Sequence, residues 1–275
     1  TSHDVTNQLL QDRAFDFVNF TGSVGGGKSI EKATAGTFVG VGLELGGKDP
    51  AYVRADADVD AAVETLIDGA MFNSGQCCCG IERIYVDESL FDDFIAKAKS
   101  IVEGYVLGNP LESTTTLGPM AHVRFADEVR GQVKEALASG ATSIIDRSLF
   151  PRDTGNDAYI APEILVDVDH SMRVMKDESF GPVVGIMKVS SDEQAIDLMN
   201  DSVFGLTASI WTKDDAAAAN IGSKIKTGTV FMNRCDYLDP ALCWTGCKET
   251  GRGMTLSHLG YQSVTRPKSY HLKKA

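Results

Sequence analysis

The stretch FDFVNFTGSVGGGKSIEKATAGTFVGVGLELGGK, residues 15–48, decides the fold of this chain. It holds an apolar run, a turn with three consecutive glycines, a stretch of helix-forming residues and a second apolar run. We interpret residues 15–20 and 38–43 as strands and residues 28–35 as the helix between them. A strand, a helix and a second strand in this order predict the first unit of a parallel sheet.

The same alternation continues along the rest of the chain. Apolar spacing predicts helices at residues 59–71, 89–102, 123–138, 192–200 and 214–225, with Ser89 as the N-cap of the second one. Strands are predicted at residues 83–86, 143–145, 183–189, 207–212 and 229–232, and a loop at 147–159. The predicted fold class is therefore α/β, with a mostly parallel sheet that carries helices on both faces.

Composition excludes several classes of protein. The chain has 275 residues, and 43% of them are hydrophobic, which is enough for a packed core and too much for a disordered protein. Its formal net charge of −12 argues against nucleic acid and anionic membranes as partners, because their phosphates bind clustered Lys and Arg. No apolar run approaches the ~20 residues of a membrane-spanning helix. We therefore expect a soluble protein without a nucleic-acid or membrane partner.

The six cysteines favour a reducing compartment. Three of them are consecutive, at positions 77–79, and the others are Cys235, Cys243 and Cys247. This spacing is not that of a disulfide framework, and it lacks the paired doublets of a zinc site, so no metal is predicted. Reduced thiols are expected, in the cytoplasm, and one of them is a candidate nucleophile.

Two glycine-containing clusters are candidates for cofactor or catalytic chemistry. In FTGSVGGGK, residues 20–28, glycines between a strand and a helix can bring backbone N–H groups close to a phosphate, but taken alone such glycines are more often a plain strand-to-helix turn. ELGGK, residues 44–48, follows a predicted buried strand, where active-site carboxylates of parallel sheets lie. A surface turn with a solvated glutamate is the alternative.

Two further clusters follow along the chain. FNSGQCCC, residues 72–79, places three thiols after a glycine. A lone buried cysteine is usually inert, but three together favour at least one reactive thiol, and spacing alone does not say which. ESFGPV, residues 178–183, can also be explained as an ordinary Gly-Pro turn that leads into a strand.

Taken together, the four clusters resemble one family, the NAD(P)-dependent aldehyde dehydrogenases. FTGS, ELGGK, G-Q-x-C and E-x-F-G-P-V occur in the family's order, and Glu44 lies 34 positions before Cys78, as is usual in the family. The resemblance runs from about residue 3 to the end of the chain. It departs at residues 241–247, where the family's Pro-Phe-Gly-Gly is absent. The resemblance implies a three-layer sandwich of the aldehyde dehydrogenase type.

The resemblance also implies residue roles. Cys78, the last residue of G-Q-x-C, would attack an aldehyde to form a thiohemiacetal, with its own backbone N–H as one oxyanion donor. After hydride leaves for the nicotinamide, Glu44 would activate the water that hydrolyses the thioester. The residues implied for NAD or NADP binding are Gly22, Ser23, Gly27, Leu45, Glu178 and Phe180.

Domain organisation is a further implication. Family members carry an N-terminal half without a counterpart in these residues, so the resemblance implies a chain truncated at its N-terminus and a weakened affinity for the cofactor. Residues 1–43 would be a remnant of the dinucleotide-binding domain and 44–245 the catalytic domain. Residues 246–275 would return to the cofactor domain or make an oligomer contact. An exposed sheet edge in such a chain favours homo-oligomers.

Three functions stay open at this point. The first is oxidation of an aldehyde to a carboxylic acid. The second is NAD-independent hydrolysis of a carboxylic ester by the same cysteine, which needs acylation and deacylation but no hydride acceptor. The third is a non-catalytic binding or assembly role, in which Cys78→Ala would change nothing measurable beyond small effects on stability.

Overall fold

The computed structural model describes residues 2–275, which form two compact units. The small unit contains residues 2–45, Leu238–Gly246 and Gly251–Ala275. The large unit contains Gly46–Tyr237 and Cys247–Thr250. The predicted division at residues 43 and 245 concerns function and stays a prediction.

The small unit is built around a three-stranded sheet. Its elements are α1 (His3–Gln11), β1 (Phe17–Thr21), α2 (Val24–Thr34), β2 (Gly40–Glu44), β10 (Gly251–Arg252) and α9 (Ser257–Ser263). β1 and β2 are parallel, in a register that pairs Phe17 with Gly40, and β10 adds to β2 in the antiparallel direction. This leaves β1 at one edge of the sheet. The predicted strand–helix–strand unit is therefore present.

The large unit contains a seven-stranded sheet. Its strands are β3 (Asp49–Val53), β4 (Ile81–Asp87), β5 (Thr142–Ser143), β6 (Glu163–Val166), β7 (Val183–Val189), β8 (Thr207–Trp211) and β9 (Thr229–Met232). Their order across the sheet is β5-β6-β7-β4-β3-β8-β9, and only β5 is antiparallel to its neighbour. This mostly parallel sheet confirms the predicted fold class.

Side-chain alternation along the central strands builds a core on each face of this sheet. Ala51 and Ile84 belong to one buried cluster, whereas their neighbours Tyr52 and Tyr85 belong to the other. Helices cover both clusters; they are α3 (Val59–Met71), α4 (Phe91–Glu103), α5 (Val123–Ala138), α6 (Arg173–Lys176), α7 (Asp192–Asn200) and α8 (Asp215–Gly222). α3 and α4 contribute to the first cluster, and α5 to α8 to the second. The large unit is thus the expected sandwich of three layers.

Strong periodicity and side-chain caps explain why several elements were predicted to the residue. The bounds of α3, α5, α7, β7 and β9 match the predictions. Asp58 caps α3 by accepting from Ala61 N at 3.2 Å, and Ser191 caps α7 by accepting from Gln194 N at 3.2 Å.

Other predictions were wrong in detail. Ser89 is not an N-cap, because its hydroxyl donates to Asp87 Oδ1 at 2.5 Å and α4 begins only at Phe91. α2 begins at Val24 rather than at residue 28, since Ser23 caps it. β3 and β6 were not predicted.

Within residues 2–275, the structure contains no helix of the length and apolar character needed to cross a bilayer.

Candidate active site

The chain turns sharply after α3, just before the cysteines. Asn73 and Ser74 both adopt left-handed backbone conformations, with φ of 51° and 57°. A left-handed conformation costs a residue other than glycine about 1 kcal/mol or more, so neighbouring groups must hold it. Ser74 Oγ donates to Gly118 O at 2.7 Å, and Gln76 Oε1 accepts from Ala121 N at 2.7 Å. Gln76 of the G-Q-x-C motif therefore anchors the loop that carries the thiols.

The cysteine triplet shifts the pKa values of Cys78 and Cys79 in opposite directions. Hydrogen bonds with the side chains of Cys77 and then Cys79 lower the pKa of Cys78 well below its usual range, although burial opposes the shift. The pKa of Cys79 is raised, first by its hydrogen bonds with Cys77 and Cys78 and then by burial. Cys79 also lies beside the Asp236 carboxylate. Because a thiolate is the nucleophilic form, this difference favours Cys78 over Cys79.

The ELGGK motif brings its backbone against the cysteine loop. A Cβ at Gly47 would lie 2.4 Å from Cys78 O, and a Cβ at Gly46 would lie 2.3 Å from Glu178 Oε2. A side chain at either position would collide with the neighbouring motif. The two glycines therefore let three of the four motifs meet at one place in the large unit.

Glu178 lies at this meeting point. Its Oε1 accepts from Gly47 N at 2.9 Å. Burial is the main cause that raises the pKa of Glu178 to about 7, and the nearby charge of Glu82 raises it further. The hydrogen bond from Gly47 acts in the opposite direction and lowers the pKa. Carboxyl groups with a raised pKa are typical of functional sites in enzymes.

A buried polar network fixes the turn that carries Glu178. Lys48 Nζ lies 2.5 Å from Glu82 Oε2 and donates to Ser179 Oγ at 3.0 Å. The same carboxylate accepts from the backbone N–H groups of Ser179 at 2.8 Å and Phe180 at 2.9 Å. Ser179 Oγ in turn donates to Gln132 Oε1 at 2.7 Å. Lys48 of the ELGGK motif therefore has a structural role. Burial lowers the pKa of Lys48, and the charge of Glu82 acts in the opposite direction.

Phe180 ends the network at the surface of the large unit. Its backbone is left-handed, with φ of 46°, and its side chain is 40% exposed. The hydrogen bond to Glu82 holds this conformation. The exposed ring is available to a ligand.

Residues that the sequence analysis missed lie directly beneath these motifs. Asp49 is buried and accepts from Thr207 N at 3.1 Å and from Thr207 Oγ1 at 2.6 Å. Burial raises the pKa of Asp49 well above its usual value. Arg83 Nε donates to Lys48 O at 2.9 Å. The available signal was Glu82 and Arg83, two charged residues inside a central strand of a parallel sheet, which are rare unless they are paired.

The FTGS motif lies in the small unit, at the start of α2. Ser23 Oγ accepts from Gly26 N at 3.2 Å, so the helix begins directly after the motif. A Cβ at Gly25 would meet no atom within 4 Å, which leaves the first turn open. Gly27 differs, because it is buried and a Cβ there would lie 2.6 Å from Leu45 Cδ1. Gly27 therefore allows α2 to pack closely on Leu45.

Glu44 is the last residue of β2 in the small unit. Its Oε1 accepts from Thr255 Oγ1 at 2.7 Å, and its backbone oxygen accepts from Gly22 N at 3.1 Å. Thr255 carried no sequence signal, since it lies 211 positions away from Glu44. The interaction orients the carboxylate at the end of β2.

The structure thus distributes the predicted site residues over the two units. Cys78, Glu178 and Phe180 belong to the large unit, and Gly22, Ser23, Gly27, Glu44 and Leu45 to the small unit.

The sequence model of the aldehyde dehydrogenase family matches residues 1–270. The chain belongs to the aldehyde dehydrogenase family. Among curated relatives of this family member, it is 35% identical over 260 residues to human aldehyde dehydrogenase 1A1, covering 94% of this chain and 51% of that protein. It is 33% identical over 258 residues to the succinate semialdehyde dehydrogenase Sad of Escherichia coli, covering 94% and 55%. The chain spans about half the length of the curated relatives it matches.

Solved aldehyde dehydrogenase structures resemble this family member closely. The NADP-dependent glyceraldehyde-3-phosphate dehydrogenase of Bacillus halodurans, complexed with NADP, has a TM-score of 0.88 and 34% identity, over 95% of this chain and 53% of that one. The betaine aldehyde dehydrogenase of Staphylococcus aureus in complex with NAD+ has a TM-score of 0.86 and 32% identity, over 94% and 51%.

Proposed function

We propose that this chain carries the cysteine nucleophile of an NAD(P)-dependent oxidation of an aldehyde to a carboxylic acid. The observation that carries the proposal is the cysteine triplet, in which hydrogen bonds from its two neighbours favour ionisation of Cys78. Membership of the aldehyde dehydrogenase family supports the reaction type. The relatives' names cover different aldehydes, so the proposal names the aldehyde group and no particular substrate.

The chemistry proposed for the side chains begins at Cys78. Its thiolate attacks the carbonyl carbon, so that a C–S bond forms and the carbonyl oxygen becomes an oxyanion, which the N–H of Cys78 stabilises. A bound oxidised nicotinamide supplies the acceptor for the hydride that leaves the carbon. Glu44 removes a proton from water, which cleaves the resulting thioester and releases the acid and the free thiol. The role of Glu44 rests on its motif and on the orientation that Thr255 gives its carboxylate.

The residues proposed to hold the cofactor suit its groups. The first turn of α2 lies beside open space at Gly25, and the backbone N–H groups of a helix N-terminus suit a phosphate. Glu178 offers a carboxylate that can accept from ribose hydroxyls, and Phe180 an exposed ring. Gly22, Ser23 and Leu45 complete the proposed set. The choice between NAD and NADP stays open, and the weakened affinity stays a prediction.

The test is formation of reduced nicotinamide by this chain, followed by absorbance, with a short-chain aldehyde and either NAD+ or NADP+. We expect Cys78→Ala to abolish it. Glu44→Gln is expected to stop turnover after acylation, which mass spectrometry detects as an acyl adduct on Cys78. The matched control Cys243→Ala changes another free cysteine and should behave as the unchanged chain. Oxidation that persists in Cys78→Ala would refute the proposal.

The same preparations distinguish the remaining alternatives. No observation specifically favours ester hydrolysis, so it enters as an outcome of the test. Release of p-nitrophenol from a p-nitrophenyl ester without NAD(P)+, lost in Cys78→Ala, would assign a cysteine hydrolase. Inactivity of the unchanged chain in both assays would leave the binding or assembly role.

The cellular setting is also a proposal. Six free cysteines favour a reducing compartment, for which we propose the cytoplasm. Self-association is supported by the edge strand β1 and by Phe38, whose side chain is 94% exposed.

A further inference from the structure

Three side chains of the large unit converge beside the proposed nucleophile. Cys77 Sγ and Cys79 Sγ lie 3.6 Å apart. Both Sγ atoms lie within hydrogen-bonding distance of Asp236 Oδ1, at 3.3 Å from Cys77 and 2.8 Å from Cys79. The three ligand atoms all lie within 4.8 Å of one another. Cys79 is buried, and the other two residues are half-buried.

The backbone holds this cluster in place. A turn in which Gly80 N donates to Cys77 O at 3.1 Å sets the two thiols side by side. Asp236 follows β9 with a left-handed φ of 46°. The preceding residue, Cys235, is buried and donates to Thr65 O at 3.5 Å, which fixes the approach of Asp236. The cluster is therefore organised by surrounding structure rather than by its own hydrogen bonds.

The separations fit tetrahedral coordination. With Zn–S bonds of about 2.3 Å, tetrahedral angles put two sulfurs ~3.8 Å apart, and a sulfur and a carboxylate oxygen ~3.5 Å apart. The observed S···S separation of 3.6 Å and the 3.3 Å from Cys77 to Asp236 lie close to these values. Only the separation of 2.8 Å between Cys79 Sγ and Asp236 Oδ1 is shorter than the value expected for coordination.

We propose that Cys77, Cys79 and Asp236 form a site for a thiophilic divalent cation, Zn²⁺ or Cd²⁺. Two thiolates and a carboxylate are ligands of this class of metal, and three protein ligands leave a fourth position for water. On binding, each thiol loses its proton to solvent as its S–metal bond forms. The linear spacing of the cysteines predicted no metal, because Asp236 lies 157 positions from Cys79.

The test uses Cd²⁺ alone, titrated into the reduced, otherwise unchanged chain and followed by the ultraviolet charge-transfer absorption of Cd–thiolate bonds. We expect one Cd²⁺ per chain. Cys77→Ala should reduce the absorption by about half and weaken binding at least tenfold, and Asp236→Asn should weaken binding about tenfold. Both residues are half-buried, and circular dichroism checks that each variant is folded.

Matched variants at other thiols make the assignment specific. Cys78→Ser and Cys243→Ala should keep the affinity and absorption of the unchanged chain. The proposal is overturned if Cys77→Ala or folded Asp236→Asn binds Cd²⁺ as before. It is equally overturned if Cys78→Ser or Cys243→Ala loses the absorption, or if the unchanged chain shows none. None of these readouts depends on dehydrogenase activity, so the outcome is separate from that of the proposed function.

Discussion

Cys78 lies between two other cysteines, and differences in their surroundings make Cys78 more acidic than Cys79. A thiolate at Cys78 is stabilised by two flanking S–H groups, whereas Cys79 faces the carboxylate of Asp236 from a buried position. The motif G-Q-x-C indicated Cys78 from sequence. The order of acidity could not be predicted, because Asp236 reaches the cluster only through the fold.

This order predicts selective alkylation. At about pH 6, where an ordinary thiol with a pKa near 8.5 is almost fully protonated, limiting iodoacetamide should modify Cys78 first. The pKa of Cys78 is depressed, so its rate should stay nearly constant between about pH 6 and 8, while that of free N-acetylcysteine in the same solution should rise steeply. Peptide mass spectrometry after timed quenching measures both rates. Equal labelling of Cys78 and Cys79, or a Cys78 rate that rises in parallel with that of the free thiol, would contradict this.

At the scale of elements, β3 shows where sequence reasoning fails. The strand begins with Asp-Pro, which normally argues against a central strand, yet all five of its residues are buried. The strand is tolerated because its register against β4 shifts between Asp49 and Pro50, and because Thr207 donates twice to the Asp49 carboxylate. Both compensations come from other strands, so no local pattern could reveal them.

The buried pair between the ELGGK segment and β4 gives a prediction at this scale. Glu82→Ala leaves the ammonium group of Lys48 buried without a counter-charge and removes the acceptor of Ser179 N and Phe180 N. We expect it to lower the free energy of unfolding by about 3–5 kcal/mol, the usual cost of breaking a buried pair. Urea unfolding followed by circular dichroism measures the change.

A surface pair supplies the control for this prediction. Asp60 lies 2.5 Å from Lys97 Nζ, but its side chain is 78% exposed, so water replaces the lost interaction. Asp60→Ala should leave the urea midpoint nearly unchanged. If Glu82→Ala and Asp60→Ala shift the midpoint equally, the buried network does not stabilise the turn at Glu178.

For the molecule as a whole, the alternation of strands and helices was enough to predict a mostly parallel sheet with helices on both faces. Alternation fixes connectivity, since parallel neighbours need a crossover between them. The alternation does not determine how many hydrophobic residues are buried in each unit. The small unit has a buried cluster of Leu10, Ile30, Ala33, Leu43 and Leu45, whereas the large unit has extensive clusters on both faces of its sheet.

This inequality predicts unequal protection of backbone amides. Opening free energy follows buried apolar contact, so β3, β4 and β7, at the centre of the seven-stranded sheet, should exchange amide hydrogen slowest. β1, an edge strand over a small core, should exchange much faster even where its amides are hydrogen-bonded to β2. Hydrogen–deuterium exchange with peptide mass spectrometry measures both sets in one experiment, and comparison at two chain concentrations removes the effect of self-association. If the amides of β1 were as well protected as those of β4 in the dilute sample, the prediction would be wrong. The five-residue cluster would then protect its strands as well as the two larger clusters do, so burial within each unit would not determine local stability.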